Sequence, residues 1–121
     1  MIDRKTHTPE TVAAELKASP RKTQLVDRAA NVNYDVSLVS SSGFYQLDWN
    51  ADVIQKWDWI GLYPNSQVPD SAYITGNNWQ WAVNGSPYTT QTAISSGHQA
   101  RYLVWDYANS VYVAVAVSNI L

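Results

Sequence analysis

Cysteine is absent from this sequence, and only one phenylalanine, one methionine and two histidines occur among its 121 residues. A disulfide framework, thiolate chemistry and cysteine-ligated zinc are therefore excluded. At this length the chain can still bury an ordinary core without a disulfide or a structural metal. We expect one domain of conventional size.

Long hydrophobic runs are also missing. The most apolar stretch, Val111 to Val117, is too short to cross a bilayer as a helix and is typical of one strand. Residues 1–7 lead into polar, helix-like sequence, whereas a signal peptide would continue with an apolar run. We therefore expect a cytoplasmic protein, or one that is released without a classical signal peptide.

Positive charge is scarce beyond the N-terminus. Residues 1–30 hold six Lys or Arg against four Asp or Glu, while residues 31–121 hold only Lys56 and Arg101 against six Asp. Nucleic acid requires a basic groove that neutralises phosphates, and two cations cannot line one. We therefore expect no nucleic-acid partner.

The first thirty residues have helical periodicity and form a predicted N-terminal helical arm, residues 1–30. Thr8 can cap a helix through its hydroxyl, Pro9 suits the first helical position, and Glu10 complements the helix dipole. Ser19-Pro20 should end the helix, because proline disfavours helical conformation in the residue before it. The apolar face of this helix contains Val12, Ala13 and Leu16.

The remainder of the arm, residues 21–30, fits a second short helical turn or an edge strand, and we favour the helix. The whole arm could pack against the rest of the chain, remain disordered, or reach a neighbouring subunit. The last alternative predicts a homo-oligomer held through the arm.

Residues 31–121 form a second predicted unit, built from short β-type runs separated by Gly, Asn, Ser and Pro. This pattern is typical of an antiparallel sandwich or barrel, and we predict an all-β fold of about seven strands. The clearest pair is a hairpin whose strands flank the loop Tyr107-Ala108-Asn109-Ser110. The runs are Val32–Val39, Phe44–Trp49, Trp57–Tyr63, Ala72–Ile74, Trp79–Val83, Tyr88–Ile94 with Gln99–Trp105, and Val111–Val117.

Candidate catalytic groups are few. His98 follows a Ser-Ser-Gly turn and is interpreted as a solvated loop residue, because no nucleophile motif accompanies it. We therefore predict that the protein is not an enzyme and that it needs no cofactor. Calcium is the one metal left open, since it binds carboxylate and carbonyl oxygens. Its weak candidate ligands are Asp48, Asp52 and Asp58, for which solvated turn carboxylates are the favoured interpretation.

The tryptophans supply a stronger signal. Trp57 and Trp59 are two residues apart, as are Trp79 and Trp81, so each pair lies on one face of its strand. Six tryptophans exceed the two or three that one sandwich core should bury, so we expect some to be exposed. Exposed rings beside amides suit sugar recognition, through stacking and hydrogen bonds. The candidate ligand site comprises Trp79, Trp81, Asn77, Asn78, Asp70, Tyr73 and Asn84.

The central motif Trp57-Asp58-Trp59-Ile60-Gly61-Leu62-Tyr63, with Phe44 to Trp49 before it and Ala100 to Trp105 after it, also carries a resemblance. It is similar to the immunoglobulin-like β-sandwiches of SKICH domains and of the N-terminal domain of plant purple acid phosphatases. The resemblance implies an immunoglobulin-like sandwich that serves localisation or interaction without catalysis. The overall composition resembles small cytosolic lectins of fungi and microbes.

Three functions follow as competing hypotheses. The leading one is a carbohydrate-binding module or small lectin that uses exposed tryptophans and amide side chains. The alternative is a protein-interaction or assembly sandwich whose aromatic surface forms a subunit interface. A membrane-surface or toxin-like module ranks third, because an acidic body is not attracted to anionic lipid.

Overall fold

The computed structural model describes residues 1–18 and 32–121, and they form an all-β sandwich preceded by one short helix. The seven strands lie in two antiparallel sheets. One sheet has the order β1-β2-β5 and the other β4-β3-β6-β7. The elements are α1 Pro9–Ala18, β1 Tyr34–Ser41, β2 Phe44–Ala51, β3 Trp59–Tyr63, β4 Trp79–Trp81, β5 Tyr88–Ala93, β6 Gln99–Asp106 and β7 Val111–Val117.

This strand order is that of an immunoglobulin-like sandwich. The chain crosses between the sheets after β2, β4 and β5, and the hairpins β1–β2, β3–β4 and β6–β7 each pair within one sheet. The β6–β7 hairpin has the predicted strands and the predicted loop of residues 107–110. Helix α1 spans Pro9–Ala18 and begins where its capping pattern predicts, whereas the predicted stop at Ser19-Pro20 lies outside the described residues. The backbone N–H of Thr11 donates to the Thr8 hydroxyl at 3.3 Å, which confirms Thr8 as the cap.

The two sheets enclose the first hydrophobic core through alternate residues of their strands. Trp49 fills one end of this core, and its indole N–H donates to the Ala82 carbonyl at 3.2 Å. The buried members are Val36, Leu38, Tyr45, Leu47, Trp49, Ile60, Leu62, Ala82, Ala100, Tyr102 and Val104.

The central strands β3 and β6 are buried on both faces, which a two-layer sandwich alone does not explain. All five residues of β3 are buried, and so are the first seven of β6. Their second face lies on the outside of the four-stranded sheet. A second hydrophobic cluster therefore covers the outside of this sheet, and its buried members are Val12, Trp59, Tyr63, Trp79, Trp81 and Leu103.

One predicted strand is absent from the structure, and one predicted helical turn is not tested by it. The prediction of a strand at Ala72–Ile74 is wrong, because only Ile74 makes a backbone bond to β3, to the carbonyl of Leu62 at 2.8 Å. One bond at a strand end does not extend a ladder. The predicted helical turn at residues 21–30 lies outside the described residues.

Within residues 1–18 and 32–121, no helix combines the length and the apolar composition that a membrane crossing requires.

Candidate functional site

The outer surface of the four-stranded sheet carries a layer of rings that we call the aromatic face, defined as Trp57, Trp59, Tyr63, Tyr73, Trp79 and Trp81. Register places Trp59 of β3 directly opposite Trp81 of β4. Trp79 and Trp81 meet edge to face at 5.1 Å between centroids, and Trp59 and Trp79 do so at 6.3 Å. This edge-to-face geometry is favourable for aromatic pairs.

Gly61 makes room for this layer. A Cβ atom built on Gly61 would lie 2.6 Å from Cζ3 of Trp59 and 3.3 Å from Cε1 of Tyr63. The indole of Trp59 therefore lies flat over the bare backbone of β3 at that position. Any larger residue would displace the ring.

The described N-terminal segment, residues 1–18, covers the aromatic face. The guanidinium of Arg4 lies 4.5 Å from the centroid of a Trp79 ring and 5.3 Å from that of Tyr88. It also donates to the carbonyls of Gly76 and Trp79 and to Oδ1 of Asn77, at 2.9 to 3.0 Å. Arg4 therefore fastens the segment to β4 by both stacking and hydrogen bonds.

Further contacts hold the same segment on both sides of Arg4. Asn84 accepts a hydrogen bond from the backbone N–H of Ile2 at 2.7 Å and donates to its carbonyl at 2.9 Å. The indole N–H of Trp81 donates to the His7 carbonyl at 2.9 Å, and the His7 ring stacks on Trp57 at 5.5 Å. These bonds give protein partners to the Trp81 indole N–H and the Asn84 amide, which the segment shields from water.

Helix α1 completes the cover. Val12 is 1% exposed and belongs to the second cluster, with Leu16 packed at its edge. The hydroxyl of Tyr73 donates to a carboxylate oxygen of Glu10, which joins the first turn of α1 to the chain after β3. The apolar face predicted for the helix is therefore the face that packs on the sheet.

The structure corrects the prediction that Trp79 and Trp81 are exposed. Trp79 is 4% and Trp81 0% exposed, because residues 1–18 lie over them. Sandwich geometry suggested a single core, whereas Trp49 belongs to the first core and Trp59, Trp79 and Trp81 belong to the second cluster, on the other side of the four-stranded sheet. Trp57 is half-buried, and the other five tryptophans are buried.

The amides of the predicted site are also occupied. Asn77 and Asn84 bond to Arg4 and Ile2 as described. Asn78 is 8% exposed, and its amide donates to the Thr75 carbonyl at 2.7 Å and accepts from the Thr92 hydroxyl at 2.7 Å. Asn78 therefore joins β4 to β5 and has a structural role.

The remaining two predicted site residues, Asp70 and Tyr73, line an open groove beside α1. The groove has a volume of about 420 Å³ and runs between the helix and the strands β3, β6 and β7. Its rings are Trp59, Tyr73, Trp105 and Tyr112, and its polar lining comprises Glu10, Lys17, Asp70, Ser71 and Ser110. A volume of this size falls within the range of small-molecule sites. We call it the α1 groove.

An ion pair between a buried arginine and a half-buried aspartate supports one wall of the α1 groove. Arg101 is 4% exposed, and its Nη1 lies 2.8 Å from Oδ1 of Asp70. The other carboxylate oxygen of Asp70 accepts the backbone N–H of Ala114 at 3.0 Å. The guanidinium also lies 4.0 Å from the centroid of the Tyr63 ring. These contacts fix Asp70 at the lip of the groove.

Two tyrosines near this wall are held in the neutral form. Burial raises the pKa of the Tyr63 hydroxyl well above its ordinary range, the charge of Asp70 raises it further, and Arg101 lowers it. Burial is also the main reason for the raised pKa of Tyr73, followed by its hydrogen bond to Glu10 and the charge of that carboxylate. Both hydroxyls therefore act as hydrogen-bond donors at neutral pH.

One polar atom at the groove has no partner. Trp59 is 2% exposed, and its Nε1 is buried without a hydrogen bond. A buried donor without an acceptor costs about 1–3 kcal/mol, so such atoms are rare in folded proteins. Trp59 lines the α1 groove.

Four residues that line the groove were not predicted as site residues from the sequence: Glu10, Trp59, Trp105 and Tyr112. The usable signal was the alternation of β3, in which Trp59 and Tyr63 lie on the face opposite to Ile60 and Leu62. Apolar residues on both faces of a strand indicate that both faces are covered.

The three aspartates that were weak calcium candidates have other partners. Asp58 is 2% exposed and accepts hydrogen bonds from the backbone N–H of Gln55 and the hydroxyl of Tyr102, both at 3.0 Å. Asp48 bonds to Gln46, and Asp52 bonds to Asn33. Across the described part of the chain, no three His, Cys, Asp or Glu side chains gather in a metal-binding arrangement. The structure therefore does not bring these aspartates together.

His98 is half-buried, which differs from the solvated residue expected. Its ring lies 4.5 Å from that of Tyr45, and Nδ1 is 3.0 Å from the Tyr45 hydroxyl. This histidine packs at the end of the sandwich opposite the β6–β7 turn.

No family model, no curated protein and no solved structure matches this chain. The resemblance to the SKICH and purple acid phosphatase sandwiches therefore stays a prediction.

Proposed function

We propose that this chain is a carbohydrate-binding β-sandwich without catalytic activity, and that its sugar site is the α1 groove. The observation that carries the proposal is the lining of the groove, in which four aromatic rings meet a rim of hydroxyl, carboxylate and ammonium groups. The tryptophans first considered for this role, Trp79 and Trp81, are covered by the protein's own N-terminal segment.

The groove has both kinds of contact that a sugar uses. The C–H face of a pyranose packs against aromatic rings, and Tyr73 and Tyr112 are the half-buried rings of the lining. Hydroxyls of the sugar can donate to Glu10 and accept from Lys17, Ser71 or Ser110. The orphaned indole N–H of Trp59 is a further donor that a ligand oxygen could satisfy after a small shift of the lining.

The chemistry of the groove favours binding over catalysis. Its two carboxylates are already engaged, Glu10 by the hydroxyl of Tyr73 and Asp70 by Arg101. A pair of carboxylates that cleaves a glycosidic bond needs one raised pKa and one free nucleophile or base. Because both carboxylates already have partners, neither Glu10 nor Asp70 is free to act as the nucleophile or base.

The test is a glycan array with the purified protein, with and without calcium, followed by titration of tryptophan fluorescence with any sugar that binds. We expect a saturable ligand that shifts the emission, because the groove contains two indoles. A folded protein that binds no glycan in either condition contradicts the proposal.

A matched pair of variants on α1 locates the site. Ala13→Gln places a longer side chain into the groove, whereas Ala14→Gln places the same side chain on the exposed face of the same helix. Both residues are good helix formers, so the helix itself is little changed. We expect the first variant to weaken sugar binding at least about tenfold, which corresponds to about 1.4 kcal/mol. Equal binding by the two variants would place the sugar elsewhere.

An assembly function is the second candidate, and the covered aromatic face favours it. Aromatic residues with arginine are the typical composition of interface centres. Here such a surface contacts residues 1–18, which reach it across an unbroken chain of thirteen further residues, 19–31.

A further inference from the structure

We infer that residues 1–18 are an exchangeable segment, which docks on the aromatic face of a second copy of this chain in a two-fold symmetric dimer. The monomer and the exchanged dimer would share the same contacts. The inference concerns the aromatic face and does not depend on sugar binding in the α1 groove.

Residues 1–18 owe their helical structure to docking on the sheet. Helix α1 has ten residues, fewer than the 12 to 15 or so that an isolated helix needs to be even marginally stable in water. Val12 is buried in the second cluster, and Leu16 packs against that cluster. The segment therefore behaves as a ligand of the aromatic face that is tethered to it by the chain.

The aromatic face needs a cover that shields its rings from water. Without residues 1–18 the sheet would expose Trp79 and Trp81 together with the neighbouring rings of Trp57 and Trp59. Soluble monomers rarely leave a contiguous apolar patch of that kind open. Undocking of the segment is thus unfavourable in free energy, because it exposes the aromatic face. When a face loses its own segment, the identical segment of a second copy fits it best.

The contacts between the segment and the sheet can form within one chain or between two copies. Every described bond between the segment and the sheet is non-covalent and involves residues that each copy possesses, such as Arg4 with Asn77 and Ile2 with Asn84. The intervening residues 19–31 span up to about 45 Å when extended. The sandwich, residues 32–121, has a radius of gyration of about 12 Å, so the aromatic face of a neighbouring copy is within reach.

The balance between the two states depends on concentration. A short connection gives the attached segment an effective concentration in the millimolar range, which favours the closed monomer in dilute solution. A reciprocal exchange closes on itself and creates no free face, so the assembly stops at two copies. We expect the exchanged dimer when the protein refolds near that concentration.

The absence of native cysteine makes the test simple, because engineered thiols have no competitors. Ile2→Cys and Asn84→Cys place one thiol on the segment and one on the face, at a pair joined by two hydrogen bonds. The two single variants are unfolded together, refolded as a mixture at about 1 mM, oxidised, and separated without reductant. The same mixture refolded at about one hundredth of that concentration is the control.

We expect a covalent mixed dimer at the high concentration and at least about tenfold less at the low one. The double variant Ile2→Cys/Asn84→Cys, refolded in dilute solution, should close within one chain. Closure of the double variant without any mixed dimer overturns the exchange. Failure of the double variant to close contradicts the docking itself and overturns the inference with it.

A second measurement separates exchange from an ordinary interface. Arg4 makes the same contacts in both states, so Arg4→Ala should leave the dimer dissociation constant of the refolded protein within about twofold. It should speed the interconversion of monomer and dimer at least about tenfold, because undocking becomes easier. Light scattering during dilution measures both quantities. A large change in the dissociation constant without faster interconversion would indicate a different interface.

Discussion

Replacing Val12 by alanine tests whether the N-terminal segment stabilises the folded chain. Val12 is 1% exposed and lies in the second cluster, so Val12→Ala removes two buried methyl groups. At about 0.8 kcal/mol for each carbon, the transfer term is about 1.6 kcal/mol. The cavity left behind adds about 1 kcal/mol if it collapses only partly. The better helix propensity of alanine returns about 0.5 kcal/mol.

We therefore expect Val12→Ala to lower the free energy of unfolding by about 2 kcal/mol, which corresponds to a fall of about 8 °C in Tm for a chain of this length. Urea denaturation followed by tryptophan fluorescence measures the loss, because the cluster contains the reporting indoles. Glu15→Ala, at an exposed position of the same helix, is the control. Equal stability of the two variants, within about 0.5 kcal/mol, would refute the packing of Val12 on the sheet.

Three further outcomes follow from the same contacts. Arg4→Ala should lower the free energy of unfolding by about 1–2 kcal/mol, whereas Lys5→Ala, at an exposed position, should change it by less than about 0.5 kcal/mol in the same denaturation assay. Gly61→Ala should cost about 1–3 kcal/mol and alter the near-ultraviolet circular dichroism, because its methyl group overlaps the indole above it; an unchanged spectrum and stability would contradict that overlap. The raised pKa values of Tyr63 and Tyr73 imply stability that is complete below pH 10 or so and falls as the pH rises further, since unfolded tyrosines ionise there and these two do not. Absorbance at alkaline pH should show Tyr63 and Tyr73 ionising only with unfolding, and their early titration in the folded chain would contradict the burial of both hydroxyls.

Local patterns in the sequence predicted much of the fold. The hairpin of β6 and β7 follows from two alternating apolar runs around a four-residue turn, and the start of α1 follows from its Thr8 cap. The short run at residues 72–74 looks like a strand for the same reasons, yet it has no partner along its length. Pairing is a tertiary property, and three residues carry too little information to reveal it.

The position of the candidate site was harder to predict, because it depends on where the N-terminal segment lies. The spacing of Trp79 and Trp81 showed that both rings share one face, but not whether that face meets solvent. The apolar residues Val12 and Leu16 were visible as a helix face in need of a partner. Joining these two unpaired surfaces requires a contact between parts of the chain about seventy residues apart, as between Arg4 and Trp79.

The covered aromatic face also changes how the tryptophan-rich composition is understood. Indoles on the outside of a sheet are not in themselves a ligand surface, because a terminal segment of the same chain can bury them. In this protein the cover also forms one wall of the α1 groove, through Pro9, Glu10, Ala13 and Lys17. The proposed binding site and the docking of residues 1–18 are therefore physically linked.

The most direct test of this arrangement is a set of nuclear Overhauser contacts in the full chain. The indole N–H of Trp81 donates to the His7 carbonyl at 2.9 Å, and Val12 is buried in the same cluster. Contacts from this indole proton to His7, and from the Val12 methyl groups to cluster rings, are the predicted result, with the methyl resonances shifted upfield by the rings. Random-coil shifts for Val12 and no contact between residues 1–18 and β4 would contradict the account.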